Sequence, residues 1–222
     1  MQKIQKTSMK DQVYDIVKER ILKQEYRFGE SISILGLSKE LGISNTPIRE
    51  ALNMLVAEGL LTSNLNNKFK VLELNGEVQR RLDEVVCVLL TGSYMHMHRR
   101  GKDGNLSRML EQAIMKQKEA FQIDDEDEYI RCTMNFDRCF VDITQNETLI
   151  DIYNKNSTLL YLFVRKIIWE EKDTIPESIR EHEGLLDAVQ KGDASLVIER
   201  LEAHYNKHYD KKVDAMIESL NL

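Results

Sequence analysis

Two sets of polar side chains stand at spacings that chemistry can use. The first lies in the run from Ser44 to Gly59, where Asn45, Thr46, Arg49 and Asn53 gather on one side of a helix start and its first two turns. These are the side chains that read base edges. Arginine pairs bidentately with guanine or holds a phosphate, and asparagine pairs with adenine. A helix whose N-terminal end carries them suits the major groove. An ordinary amphipathic helix with a solvated face has the same spacing, so the neighbouring elements must decide. The second set is His182 and His204. A turn at Lys191-Gly192 falls about nine residues after the first and about twelve before the second, so two antiparallel helices bring both imidazoles to one level of a bundle. Leu185, Leu186 and Val189 follow His182 at i+3, i+4 and i+7, while Leu201, Tyr205 and His208 flank His204. Two inward imidazoles at one level can hold a metal, or they can be hydrogen-bonded core residues.

The elements that position the first set are legible. Thr46 is placed to cap a helix, with Pro47 at its first position. Ile48, Ala51, Leu52 and Leu55 form its apolar face, and Gly59 can end it in the left-handed conformation. Asp11 to Lys23 reads as a helix, and Ser31 to Leu41 as a second that turns at Gly42 into the third. Leu60 to Ser63 and Phe69 to Leu72 read as two strands joined by an asparagine-rich turn. Helix, turn, helix and hairpin make a winged helix-turn-helix over residues 1–75.

Asn75-Gly76 marks a boundary, after which the pattern changes to long helices. They are expected over 77–99, 106–121, 129–144, 147–171, from Ile175 to Lys191, and from Asp193 or Ser195 to about Ser219. The acidic run Asp124 to Glu128 complements the dipole of a helix start. The fold class is therefore mainly α: a winged domain, then an antiparallel bundle of about six helices over residues 76–222.

Composition bounds the rest. The chain has 222 residues, 42% hydrophobic and 31% charged, enough for two small domains with real cores. No long uncharged apolar run spans a membrane, and Met1 to Lys6 lacks the core of a signal peptide, so a cytoplasmic protein is expected. Cys87, Cys132 and Cys139 do not form a disulfide framework. The net charge of −6 is uneven. Residues 1–75 hold 11 Lys and Arg against 9 Asp and Glu, so they stand at +2 and the remainder at −8. That weak local charge points to a dimer, which doubles the contacts, and to salt-sensitive binding.

Arg27-Phe28-Gly29-Glu30, the run Leu41 to Leu52 with its Ser-x-Thr-Pro-x-Arg-Glu-Ala-Leu motif, and Glu58-Gly59-Leu60-Leu61 together resemble the GntR family of bacterial transcription regulators. The resemblance implies DNA contacts by Ser44, Asn45, Thr46, Arg49 and Asn53, and by Asn67 and Lys68 on the wing. The family's usual arginine is replaced by Asn45, and the wing's usual arginine and glycine by Asn67 and Lys68, which implies an altered operator.

Residues 77–222 are similar to the FCD effector domain of the FadR-type branch. The resemblance is carried by Asn135-Phe136-Asp137, Thr144-Gln145-Asn146, Glu181-His182, the run Asp187 to Ala194, and Glu202-Ala203-His204. It implies a divalent metal (zinc, nickel or manganese) held by an Asp, a His four residues later and two further His. Those positions are Thr133, Asp137, His182 and His204 here, which leaves Asp137, His182 and His204 as the ligand set. The alternative is a metal-free pocket in which the histidines, Arg138 or Arg165 pair with an anionic effector. Thr133, Tyr161 and Tyr205 complete the candidate effector-binding residues.

The expected function is a DNA-binding transcription regulator, a repressor by default. It would act as a homodimer on a two-fold double-stranded operator and answer to a small metabolite such as a carboxylate. A winged protein with degenerate DNA reading is the alternative. A metal-dependent enzyme fits less well, because no general base or glycine-rich phosphate loop accompanies the ligand set.

Overall fold

The computed structural model describes residues 8–64, 68–169 and 172–206. These divide between two compact units that part at Leu74 and Asn75.

In the first unit, Met9–Leu22 forms α1, opened by a reciprocal capping box between Ser8 and Asp11. Val13, Val17 and Ile21 lie at helical spacing and are fully buried. Ser31–Ile32 forms β1 and Ile34–Leu41 forms α2, which ends in left-handed Gly42. Asn45–Ala57 forms α3, and Leu61–Ser63 and Phe69–Val71 form β2 and β3. The sheet has the order β1-β3-β2 and is antiparallel, pairing Ile32 with Phe69 and Leu61 with Val71. Ile48, Ala51, Leu52 and Leu55 of α3 join α1 and the sheet in one core.

Three local expectations change. The second helix starts at Ile34, because Ser33 caps it and Ile32 is drawn into the sheet against Phe69. The third helix is entered from Ser44, so Thr46 lies inside its first turn and makes no cap. Pro47 is consequently the third helical residue; its missing N–H still costs nothing, since the first four have no partner within a helix.

The second unit is a helical bundle of Gly76–His98 (α4), Leu106–Gln122 (α5), Glu126–Asp142 (α6), Glu147–Phe163 (α7), Ile175–Lys191 (α8) and Ala194–Asn206 (α9). Asn75, the expected turn residue, caps α4, and Asp125 caps α6 with the acidic run in its first turn. α6 packs against α4, α5 and α7, and its buried residues run from Tyr129 to Val141 on more than one side. Cys132 and Cys139 are among them as buried free thiols. The fourth bundle helix, expected as one continuous stretch, changes at Val164–Trp169 to a π-helical segment, followed by a short 3-10 turn at Lys172–Thr174. Gly192 at φ +65° ends α8, and the Asp193 side chain accepts from Leu196 N–H to open α9. The part of the last helix expected beyond Asn206 lies outside the described residues. No helix among the described residues is long and apolar enough to cross a membrane.

Candidate functional site

In the first unit the polar set sits where the helix geometry places it. Ser44, Asn45, Thr46, Arg49 and Asn53 are all exposed, opposite the buried face of α3. Behind them α3 is held rigidly. Lys18 and Tyr14 of α1 both donate to the Glu58 carboxylate just past its C-terminal end. In the wing, Lys68 is exposed and its backbone N–H donates to Asn64 Oδ1 at 3.2 Å. Asn67 lies outside the described residues.

In the second unit three helices converge. Asp137 of α6, His182 of α8 and His204 of α9 each offer a ligand atom, all within 4.8 Å of one another. His182 is fully buried and Asp137 nearly so. The His182 ring stacks on Phe136 at 4.0 Å and stands 5.1 Å from the His204 ring. Its Nδ1 lies 3.0 Å from Oε1 of Gln117 on α5, and His204 Nδ1 lies 2.7 Å from the Glu181 carboxylate. Burial pushes the Asp137 carboxyl up to about 6, although His204 and the Tyr205 hydroxyl beside it pull the other way. A carboxylate that dear to ionise favours a cation next to it.

The other expected residues distribute unevenly. Tyr205 is buried beside His204, with the rings edge to face at 5.1 Å. Thr133 is buried one turn before Asp137; its hydroxyl donates to Tyr129 O at 3.0 Å and lies 2.7 Å from Gln117 Nε2. Arg138, next to Asp137 in sequence, turns along α6 to pair with Asp142 at 3.1 Å. Arg165 pairs with Glu126 at 2.9 Å, and Tyr161 donates to Asp127 at 2.7 Å. Glu126 lies eleven residues before Asp137 on the same helix, about 16 Å along its axis. Arg165 and Tyr161 therefore belong to the acidic start of α6, not to the histidine cluster. Arg165 lines an open pocket of about 450 Å³ there with Ile123 and the carboxylates 124–127.

Gln117 and Glu181 touch the histidines; Gln117 carried no signal in the sequence, and Glu181 only as part of the Glu181-His182 match to the family, with no role attached. Gln117 sits between Lys116 and Lys118, as a solvated position would. Only the meeting of α5, α6, α8 and α9 gives them partners.

Two family descriptions match the chain: bacterial regulatory proteins of the gntR family over residues 9–71, and the FCD domain over residues 96–207. The chain belongs to the GntR family. It is a GntR regulator of the FadR-type branch, a DNA-binding transcription regulator with a C-terminal domain of a type that binds small-molecule effectors, sometimes with a metal. Its domains are those of transcription regulators and not of enzymes. It is 26% identical over 198 residues to the uncharacterized HTH-type transcriptional regulator YdhC of Bacillus subtilis (strain 168), covering 88% of this chain and 87% of that one. It is 24% identical over 232 residues to the probable D-xylose utilization operon transcriptional repressor of Paenarthrobacter nicotinovorans, covering 98% and 97%. A solved GntR regulator from Rhodococcus sp. RHA1 shares the fold, with a TM-score of 0.69 at 15% identity over 96% of this chain and 99% of that chain.

Proposed function

We propose that this GntR regulator is a cytoplasmic homodimeric repressor of a two-fold operator, released by a small carboxylate bound on a divalent metal in its bundle. Residues 1–75 read DNA, with Ser44, Asn45, Thr46, Arg49 and Asn53 in the major groove and Asn67 and Lys68 on the wing. Residues 76–222 bind the effector and dimerise. The observation that carries the effector half is the convergence of Asp137, His182 and His204 within 4.8 Å in a buried place. One oxygen and two nitrogen ligands suit zinc, nickel or manganese. Three ligands also leave room on the metal, which as a Lewis acid can accept a carboxylate oxygen from solution. Tyr205 and Thr133 stand at that place as further lining groups. In the metal-free reading the effector would fall to the histidines themselves, since Arg138 and Arg165 are engaged with Asp142 and Glu126.

The repressor reading is supported by the relative from Paenarthrobacter nicotinovorans, whose name describes a transcriptional repressor. Effector binding would favour one placement of the two winged domains of a dimer, and by linkage the operator would change effector affinity by the same factor.

Elemental analysis of untagged protein tests this. About one metal per chain, lost in His182→Ala and His204→Ala, is the expected result. No metal in the wild type, even after soaking with zinc, nickel and manganese, would overturn the metal half of the reading. Operator retardation at fixed salt, with and without candidate carboxylates, tests the other half.

A further inference from the structure

The hydrogen bonds around the two histidines point to the ring nitrogen that carries the proton. Thr133 Oγ1 approaches the carbonyl oxygen of Tyr129 at 3.0 Å, and a carbonyl can only accept, so the hydroxyl proton is spent there. The amide of Gln117, 2.7 Å from the same Oγ1, must then present its donor, Nε2. Nε2 also reaches the Tyr129 hydroxyl at 3.4 Å. With Nε2 facing Thr133, Oε1 faces His182, 3.0 Å from Nδ1. Oε1 can only accept, so His182 carries its proton on Nδ1. On the other side Glu181, whose carboxylate oxygen accepts, lies 2.7 Å from Nδ1 of His204. Both rings therefore donate through Nδ1 to an oxygen, which makes Nε2 the ligand atom of each in the cluster with Asp137. Gln117 is fully buried, and so is Tyr129 behind it.

We propose that Gln117, anchored by Thr133, and Glu181 are positioning residues that lock His182 and His204 in the Nδ1–H form, so that both Nε2 lone pairs serve the Asp137 carboxylate side of the cluster as ligands. Outer hydrogen bonds of this kind fix ring orientation and raise ligand basicity at metal sites. Thr133 thereby gains a purpose besides lining the effector place: it sets the direction of the Gln117 amide. It also explains how a site with only three protein ligands stays ordered, since each imidazole is held at its far nitrogen as well as by packing. The metal part rests on the function proposed above; the assignment of the two nitrogens does not.

The test is nitrogen-15 NMR of the imidazoles in metal-free protein at alkaline pH, beside zinc affinity from chelator competition. In the wild type both His182 and His204 should show a protonated Nδ1 and a bare Nε2. Gln117→Met keeps the volume but removes the acceptor; His182 should then lose its single tautomer and zinc should bind about 10- to 100-fold more weakly. Thr133→Val should do the same to a smaller degree, because the Tyr129 hydroxyl still holds Nε2. Glu181→Met should release His204, and Glu181→Gln, whose amide oxygen can still accept, should restore its tautomer. A wild-type His182 protonated on Nε2 would overturn the assignment whatever zinc does, and needs no variant to fold. Unchanged tautomers and unchanged zinc affinity in both Gln117→Met and Glu181→Met would overturn the positioning roles. Tautomers as stated with no zinc binding by the wild type would support the assignment and sink the metal reading alone.

Discussion

The exposed face of α3 and the buried cluster of α6, α8 and α9 treat their polar groups in opposite ways. Asn45, Thr46, Arg49 and Asn53 stand in solvent, with their backbone helix held from behind by Lys18, Tyr14 and Glu58. Around the cluster a relay of polar groups holds the outer side of both rings: Thr133 by Tyr129, Gln117 by Thr133, His182 by Gln117, His204 by Glu181. The partners proposed above account for the difference. DNA brings its own rigid pattern of donors and acceptors, so side chains can adjust to it after phosphate contacts have set the register. A small ion brings no pattern and must find one already made, and a buried polar group left unpaired while waiting would cost about 1–3 kcal/mol.

That contrast can be broken by substitution. His182→Ala should have the largest effect: bound metal falls to background by elemental analysis, while operator affinity without effector changes little. Arg49→Ala should do the reverse, weakening operator binding by roughly 1–3 kcal/mol if Arg49 reads a base, as measured by fluorescence anisotropy at fixed salt, and leaving metal content intact.

Asp137→Asn should change stability with a sign that depends on pH and on metal. The carboxyl, raised to about 6, favours the fold most at pH below its ordinary 3.8, and that contribution is lost as pH rises through 6. At pH 8 the metal-free wild type thus carries a costly buried charge. The amide variant, without metal, should be more stable there by on the order of 1–3 kcal/mol in denaturant melts. It should also lose the stabilisation that added zinc gives the wild type. A variant less stable than the wild type at pH 8 would mean that the charge is already compensated without metal. Lys68→Ala should be the smallest change, a uniform weakening across operator sequences that lowers the salt slope by about one.

What could be read from the sequence follows the same division. The winged domain was legible because its signals are local: an apolar face at i, i+3, i+4 and i+7, a glycine after α3, asparagines between two short strands. Within it, β1 was hidden, since two residues become a strand only by pairing with Phe69 and Lys70 far along the chain. The start of α3 was misread because Ser44 and Thr46 are both hydroxyl residues, and only backbone angles decide between them. In the bundle, the histidine pair could be placed by counting residues from the Lys191-Gly192 turn, and Asp137 through the family resemblance. Gln117 could not be found so, because a polar residue between charged neighbours looks the same whether it meets water or a ring on another helix; Glu181 stood beside His182 in the family match, but its bond to His204 needs the pairing of α8 with α9. Arg165 and Tyr161 drew attention for their chemistry, but α6 is long enough that its two ends serve different places.

The connection between α8 and α9 carries a consequence for how this regulator can change. Only Gly192 and Asp193 separate the two helices, and Gly192 holds a left-handed φ of +65° that costs other residues roughly 1–2 kcal/mol. Surface turns elsewhere absorb insertions easily. Here an added residue must either lengthen a two-residue joint or wind into α9, and each residue wound in turns His204 by about 100° away from His182. A scan of single-residue insertions along the chain should find this joint as intolerant as the interior of a helix. Homologous sequences that keep both histidines should keep the interval between them, and drift in that interval should accompany loss of one ring or the other.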